Sequence, residues 1–112
     1  QLFVAEVNGK VVGFTCVWLE YETDTYLSSL TDYAYISDLA VLPPYRRSGL
    51  GKALLKEAEA FAIQHGAKVM RIEVLAKNHI ALDVYRKAGF QDYEIALQKS
   101  LVHNNHGPLS QE

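Results

Sequence analysis

An α/β (α+β) fold, with a mixed and partly parallel β-sheet flanked by helices, is predicted by three features of this sequence. Residues 2–7 (LFVAEV) and 11–19 are apolar runs joined by Asn8-Gly9. Asn-Gly is the strongest short hairpin signal, because both turn positions accept positive φ. Residues 33–42 (YAYISDLAVL) are β-rich and stop at Pro43-Pro44, which cannot donate ladder hydrogen bonds. A long amphipathic stretch then leads to another apolar run at 68–75 (KVMRIEVL). Strand, crossover helix and strand in that order imply a parallel pair at the centre of a mixed sheet.

Each element follows in order. Strands at 2–7 and 11–19 form the hairpin. Residues 20–32 are polar, acidic and rich in tyrosine, and read as a loop. The strand at 33–42 comes next. A helix is expected from about 49 to 65, with Leu50, Leu54, Ala58 and Phe61 on one apolar stripe and Gly66 as its stop. After the strand at 68–75, Asn78 offers an N-cap for a helix over about 79–88, ended by Gly89. Residues 90–101 read as a last strand or pair of strands. The order is β-β-β-α-β-α-β in one domain spanning 1–102. Residues 103–112 (HNNHGPLSQE) have no periodicity and read as a mobile tail. Its His103 and His106 lack a Cys or carboxylate framework, so no metal site is expected there.

Composition narrows the class. The chain has 112 residues, 49% hydrophobic and 21% charged, enough for a core without staples. A formal net charge of -2 argues against a global basic footprint for nucleic acid. Cys16, the one cysteine, lies in the apolar run VVGFTCVWL. It reads as a buried thiol, permits no intrachain disulfide, and fits a reducing, cytoplasmic setting. No apolar run approaches the roughly 20 residues of a membrane helix, and no signal peptide is visible. The sequence does not begin with Met and opens directly in a strand-like run.

RRSGLGK, residues 46–52, carries two glycines, three cations and a hydroxyl just before the long helix. A Walker A loop fails here, since Gly51-Lys52 is followed by Ala53 and Arg46 holds the place of the first glycine. A dinucleotide fingerprint fails because its third glycine would be Leu54. Arg-x-x-Gly-x-Gly remains, formed by Arg46, Gly49 and Gly51. A helix N-terminus offers unpaired N–H groups and partial positive charge, and glycines let a ligand approach the backbone. Together they suit a pyrophosphate. From the heptapeptide itself, a plain loop with a solvated basic patch is an equal reading.

The wider context is more specific. ISDLAVLPPYRRSGLGKALLKEAEAFA resembles the acetyl-CoA-binding core of the GNAT superfamily of N-acetyltransferases. IEVLAKNHIALDVYRKAGF resembles that family's second half, with Asn78, Ala81, Tyr85, Gly89 and Phe90 matching N-x-x-A-x-x-x-Y-x-x-x-G-F. The resemblance covers about residues 2–101. It implies a GNAT-like fold and acetyl transfer from acetyl-CoA, as cosubstrate, to a primary amine by direct attack in a ternary complex. The pantetheine arm would lie as an extra strand against Leu39, Ala40 and Val41. The pyrophosphate would sit on the N–H groups of Arg47, Ser48, Gly49, Leu50, Gly51 and Lys52, with Arg46 adding charge. Asn78 resembles a cofactor-contacting Asn, and Tyr85 the Tyr beside the thioester sulfur.

The reaction needs aligned reactants, a deprotonated amine, an oxyanion donor and a proton for the thiolate. A backbone N–H near Leu39 to Val41 suits the oxyanion. Tyr85 suits the acid, a phenol having a higher ordinary pKa than a thiol; packing on the stripe of Ala81, Tyr85 and Ala88 is its bland alternative. Two residues compete as base, beside deprotonation by bulk water along a polar channel. Glu73 matches the position that some ribosomal-protein N-terminal acetyltransferases of the family use, with an ion pair to Arg71 as the alternative. Asp38 lies on the cofactor strand, or is simply a polar residue on a solvent face.

By resemblance, the family has a further strand and two helices before the hairpin, the helices making one wall of the acceptor site. This sequence has no counterpart of them, so it is expected to be N-terminally short, as a piece without its upstream part, a trimmed relative, or a chain whose wall another chain supplies. Glu20, Glu22, Asp24, Asp32 and Asp38, with Tyr21, Tyr26, Tyr33 and Tyr35, border the acceptor cleft by resemblance. They would suit a small cationic amine or a peptide amine, or form an ordinary solvated loop. An opening strand with an uncovered edge is compatible with a homodimer. No membrane partner is expected. A non-catalytic acyl-CoA-binding or regulatory module, which would not need Tyr85, Glu73 or Asp38, is the rival function. An interaction domain without cofactor has no use for Gly49 and Gly51.

Overall fold

The computed structural model describes residues 1–24 and 29–102. It divides into two compact units, Gln1–Leu75 and Ala76–Glu112. The first holds strands β1 (Leu2–Val7), β2 (Lys10–Asp24), β3 (Ser29–Val41) and β4 (Val69–Ile72), a 3-10 turn (Pro43–Tyr45) and helix α1 (Leu50–Gln64). The sheet order is β1-β2-β3-β4. The first two pairings are antiparallel, and β3 runs parallel to β4 across the α1 crossover.

Local chemistry places the turns. Asn8 and Gly9 sit at φ 51° and 79°, the left-handed region that a tight hairpin between twisted strands needs. Gly66 takes φ 82° just beyond α1. The N–H of Lys68 then donates to the Asp32 carbonyl at 2.7 Å and leads the chain into β4.

One face of the sheet and one stripe of α1 make the core. Leu54, Leu55, Ala58 and Ala62 of α1 are buried, as are Val12 and Val17 of β2 and Ala34 and Ile36 of β3. Phe3 meets Phe61 edge-on with ring centroids 5.9 Å apart. The alternate residues Leu2, Val4, Phe14 and Trp18 are exposed on the opposite face of the sheet.

The acidic stretch is not the loop expected at 20–32. β2 continues to Asp24 and β3 begins at Ser29, with Glu20 opposite Tyr33 and Tyr21 opposite Asp32. Tyrosine and threonine favour a pleated surface, and carboxylates tolerate one whose side chains reach water. Tyr26 and the side chains of Glu22 and Asp24 lie outside the described residues, as do His103 and His106. β4 is also shorter than the run at 68–75, since its ladder with β3 ends at the pair Ile36 and Ile72.

The second unit holds α2 (His79–Lys87). Asn78 caps it as expected, its side-chain oxygen accepting from the Ala81 N–H at 3.2 Å. Gly89 takes φ 103° beyond the helix. Arg86 then grips Asp92 through Nε and a terminal nitrogen at 3.0 and 2.9 Å. The expected last strand at 90–101 is not formed among the described residues. Tyr93, Ile95 and Leu97 alternate as a strand would, yet they stand exposed and their segment carries no ladder. Alternation supplies a strand's apolar face, whereas a strand also needs a neighbour to bond.

Candidate functional site

The glycine-rich loop is built by the chain's exit from β3. Pro43-Pro44 start the 3-10 turn, where proline's fixed φ is tolerated and its missing N–H costs little. The Tyr45 N–H donates to the Leu42 carbonyl at 2.8 Å, and that of Arg46 to Pro43 at 3.2 Å. Arg46 Nε donates to the Val41 carbonyl at 2.9 Å and ties the loop to the end of β3. The Ser48 hydroxyl donates to the Tyr45 carbonyl. Arg47 and Gly49 then take φ 62° and 87°, and α1 starts.

The two glycines serve different ends. A Cβ on Gly49 would meet nothing within 4 Å among the described residues, so its requirement is the left-handed φ. Gly51 has an ordinary helical backbone, and a Cβ there would first meet Val41 Cγ2 at 3.9 Å. Space is thus left over the first turn of α1. The N–H groups of Leu50, Gly51 and Lys52 have no partner inside the helix; the first intrahelical bond runs from the Ala53 N–H to the Gly49 carbonyl at 3.0 Å. Arg46, Arg47, Ser48 and Lys52 are exposed around them. Unpaired donors, positive charge and open space fit a pyrophosphate.

The free edge of β3 adjoins this loop. β2 pairs with β3 through Leu39, Ala40 and Val41, opposite Thr15, Phe14 and Gly13, but β4 has already ended. Backbone alternation sets which groups face outward. The Leu42 N–H bonds to Val12 on β2 at 2.8 Å, so the amide groups of Val41 and Leu39 turn the other way. Arg46 takes the Val41 carbonyl. The N–H and C=O of Leu39 and the N–H of Val41 are what the edge offers an extended ligand.

A β-bulge shapes the same stretch. Cys16 is opposite Asp38 and Val17 opposite Ile36, so Ser37 is an extra residue. Buried Thr15 donates to the Asp38 carbonyl at 2.8 Å and holds the irregularity. Ile36 remains in the core while Ser37 and Asp38 both reach water. Trp18 Nε1 donates to Ser37 Oγ at 2.9 Å, and Ser37 Oγ to Asp38 Oδ2 at 3.0 Å. Sequence reasoning passed over Trp18 and Ser37.

Glu73 follows the last residue of β4 and is exposed; Tyr35 on β3 donates its phenol to Glu73 Oε1 at 3.0 Å. That bond to Glu73 is the largest influence raising the Tyr35 pKa, with burial and the nearby charges of Glu73 and Asp38 adding to it. Arg71 lies 4.2 Å from the centre of the Tyr33 ring, a cation–π contact. In the second unit, burial raises the pKa of the half-buried Tyr85 phenol, whose ring meets Phe90 edge-on at 5.9 Å. Asn78 spends its oxygen on the N-cap, leaving its amide nitrogen as a donor. Among the described residues, no cluster of three His, Cys, Asp or Glu could hold a metal, and no helix is long and apolar enough to cross a membrane.

Comparison with known proteins identifies the family. A family model described as the acetyltransferase (GNAT) family matches residues 1–90. An N-alpha-acetyltransferase of Sulfurisphaera tokodaii is 34% identical over 96 residues, which are 83% of this chain and 58% of that protein. A thialysine N-epsilon-acetyltransferase of Bos taurus is 32% identical over 82 residues, 73% of this chain and 45% of that protein. The chain thus spans about half the length of these curated relatives. Among solved structures, the aminoglycoside N-acetyltransferase AAC(6')-Iy in complex with CoA superposes with a TM-score of 0.76 at 21% identity, covering 88% of this chain and 73% of that one. This likeness bears on the fold.

Proposed function

The chain belongs to the acetyltransferase (GNAT) family, and from that premise we propose that it transfers an acetyl group from acetyl-CoA to a primary amine by direct attack in a ternary complex. The observation that carries this reading is the joining of two unsatisfied surfaces. The first turn of α1 presents free N–H groups to a pyrophosphate, and the adjoining edge of β3 offers Leu39 and Val41 to an extended arm. Acetyl-CoA would supply an activated acyl group whose leaving thiolate is stable.

The remaining roles belong to side chains. A backbone N–H of Leu39 or Val41 would meet the negative charge that develops on the thioester oxygen. Glu73 or Asp38 would take the proton from the acceptor ammonium. Tyr85 would protonate the departing sulfur; a phenol carries its proton at neutral pH, and burial, which raises the Tyr85 pKa, acts in the same direction. An amine is the acceptor class because the curated relatives above are named for an α-amine and the ε-amine of thialysine. The carboxylates of Asp38 and Glu73 near the aromatic Tyr35 suit its cationic form.

Thiol release from acetyl-CoA tests the reading. An Ala-initiated peptide, thialysine and neamine would each be offered as acceptor. Release that depends on one of these amines is expected, with kcat lowered about 100-fold by Tyr85→Phe and CoA affinity unchanged. CoA binding without amine-dependent release would favour the non-catalytic module.

A further inference from the structure

Sequence leaves Glu73 and Asp38 level as bases, and the structure separates them by what holds each carboxylate. Asp38 is tied locally, to the hydroxyl of its neighbour Ser37. Glu73 is the first residue beyond the β3–β4 ladder, exposed and carried on a strand end. A glutamate in that setting samples many rotamers, and fixing one costs side-chain entropy. Its orienting contact comes from another strand.

We propose that Tyr35 is a positioning residue that holds the Glu73 carboxylate at the open end of β3 and β4, with one oxygen bound and the other directed to the acceptor amine. This rests on the acetyltransferase reading above. Tyr35 is well placed for it. β3 is paired on both sides at this residue, with Trp18 opposite on β2 and Arg71 opposite on β4. Glu73 lies two residues past Arg71, the diagonal neighbour that a long side chain on the same face can reach. The phenol donates to Oε1 at 3.0 Å. Tyrosine has two rotatable side-chain bonds and a rigid ring, so a donor on a doubly paired strand fixes its acceptor better than a loop would.

Charge keeps the donor a donor. The negative fields of Glu73 and Asp38, with Tyr33 beside them, disfavour the tyrosinate. Tyr35 therefore retains its proton throughout. In the step itself an N–H bond of the acceptor ammonium breaks and an O–H bond forms on the free oxygen of Glu73. The neutral amine then attacks the thioester carbon, the C–S bond breaks and the thiolate takes a proton from Tyr85. The acylated nitrogen sheds its second proton to restore the Tyr85 phenol, and Glu73 returns its proton to water.

A double-mutant cycle tests this. Wild type, Tyr35→Phe, Glu73→Gln and the double variant would be assayed with whichever of the Ala-initiated peptide, thialysine and neamine the wild type acetylates fastest. CoA affinity and Tm would be measured beside the rates. Tyr35→Phe is expected to lower kcat about tenfold, the order of a misplaced group, at unchanged CoA affinity. In the Glu73→Gln background it is expected to change the rate less than about twofold. An unchanged rate in Tyr35→Phe, or equal losses in both backgrounds, overturns the proposal. Ionisation of Tyr35, followed by NMR of tyrosine labelled with carbon-13 at Cζ, checks the pair without altering Tyr35. A lower pKa in Glu73→Gln is expected, and an unchanged one overturns it. A wild type that acetylates none of the amines removes the acetyltransferase reading and this proposal with it, whereas failure of the cycle in an active enzyme removes the proposal and leaves that reading standing.

Discussion

Gly49 and Gly51 look alike in the sequence and differ in the structure. The motif Arg-x-x-Gly-x-Gly was legible as a possible anion cradle, but not why each glycine is there. Gly49 meets a conformational demand at φ 87°. An L-residue in that region costs about 1–2 kcal/mol, so Gly49→Ala should lower unfolding free energy by about that much in a urea titration. An unchanged midpoint would mean that the loop does not adopt this turn. Gly51 has no such demand, since a Cβ there would meet Val41 Cγ2 at an ordinary 3.9 Å, so its substitution tests the proposed ligand binding rather than folding. Arg46 has a structural task as well, pinning the loop to Val41. The Tyr35–Glu73 contact was not legible, because a diagonal reach between strands far apart in sequence depends on register. Tyr35 was visible as an aromatic near the cleft and Glu73 as a candidate base, with nothing to join them.

At the scale of elements, the hairpin, the α1 crossover and the cap of α2 follow from short-range rules and are where the sequence placed them. The bulge left a trace that periodicity could have found. Ala34 and Ile36 point inward on even positions, whereas Leu39 and Val41 are the half-buried members on odd ones, so the apolar phase slips by one residue across Ser37-Asp38. A slip of that kind turns every later side chain to the other face unless an extra residue absorbs it. β2 must come close to β3 just beyond it. A Cβ on Gly13 would stand 2.9 Å from the Ala40 carbonyl oxygen and 3.3 Å from Val41 Cγ2. Gly13→Ala should therefore destabilise the first unit by about 1–3 kcal/mol and weaken CoA binding through the strand it displaces. Calorimetric unfolding and CoA titration of the variant check both, and a Tm equal to wild type would contradict this close approach. The expectations that failed, the loop at 20–32 and the strand at 90–101, share one cause. Composition describes how a segment's faces meet water, but a ladder depends on a second strand. The polar stretch found a ladder in its own hairpin, and the alternating one joins no ladder among the described residues.

For the molecule as a whole, family membership was legible because two motifs occur in order with the right elements between them, and the parallel β3–β4 pair followed from that order. The acceptor was not legible, since in the reading proposed above it is met by groups from separate strands, Tyr35 and Glu73, rather than by a run of residues. Charge tells the same story at long range. A chain of net charge -2 nonetheless gathers Arg46, Arg47 and Lys52 about one helix N-terminus, so CoA affinity should owe more to local donors than to a global field. The central claim is that the first turn of α1 and the free edge of β3 together hold CoA. Calorimetric titration of CoA into wild type and Gly51→Trp tests it most directly, because Gly51 has an ordinary helical backbone and a Cβ there would meet Val41 Cγ2 at a normal contact distance of 3.9 Å. Saturable binding is expected in wild type, and binding at least tenfold weaker in a variant whose Tm is unchanged. Equal affinity in the two proteins, or no binding by wild type, would contradict it.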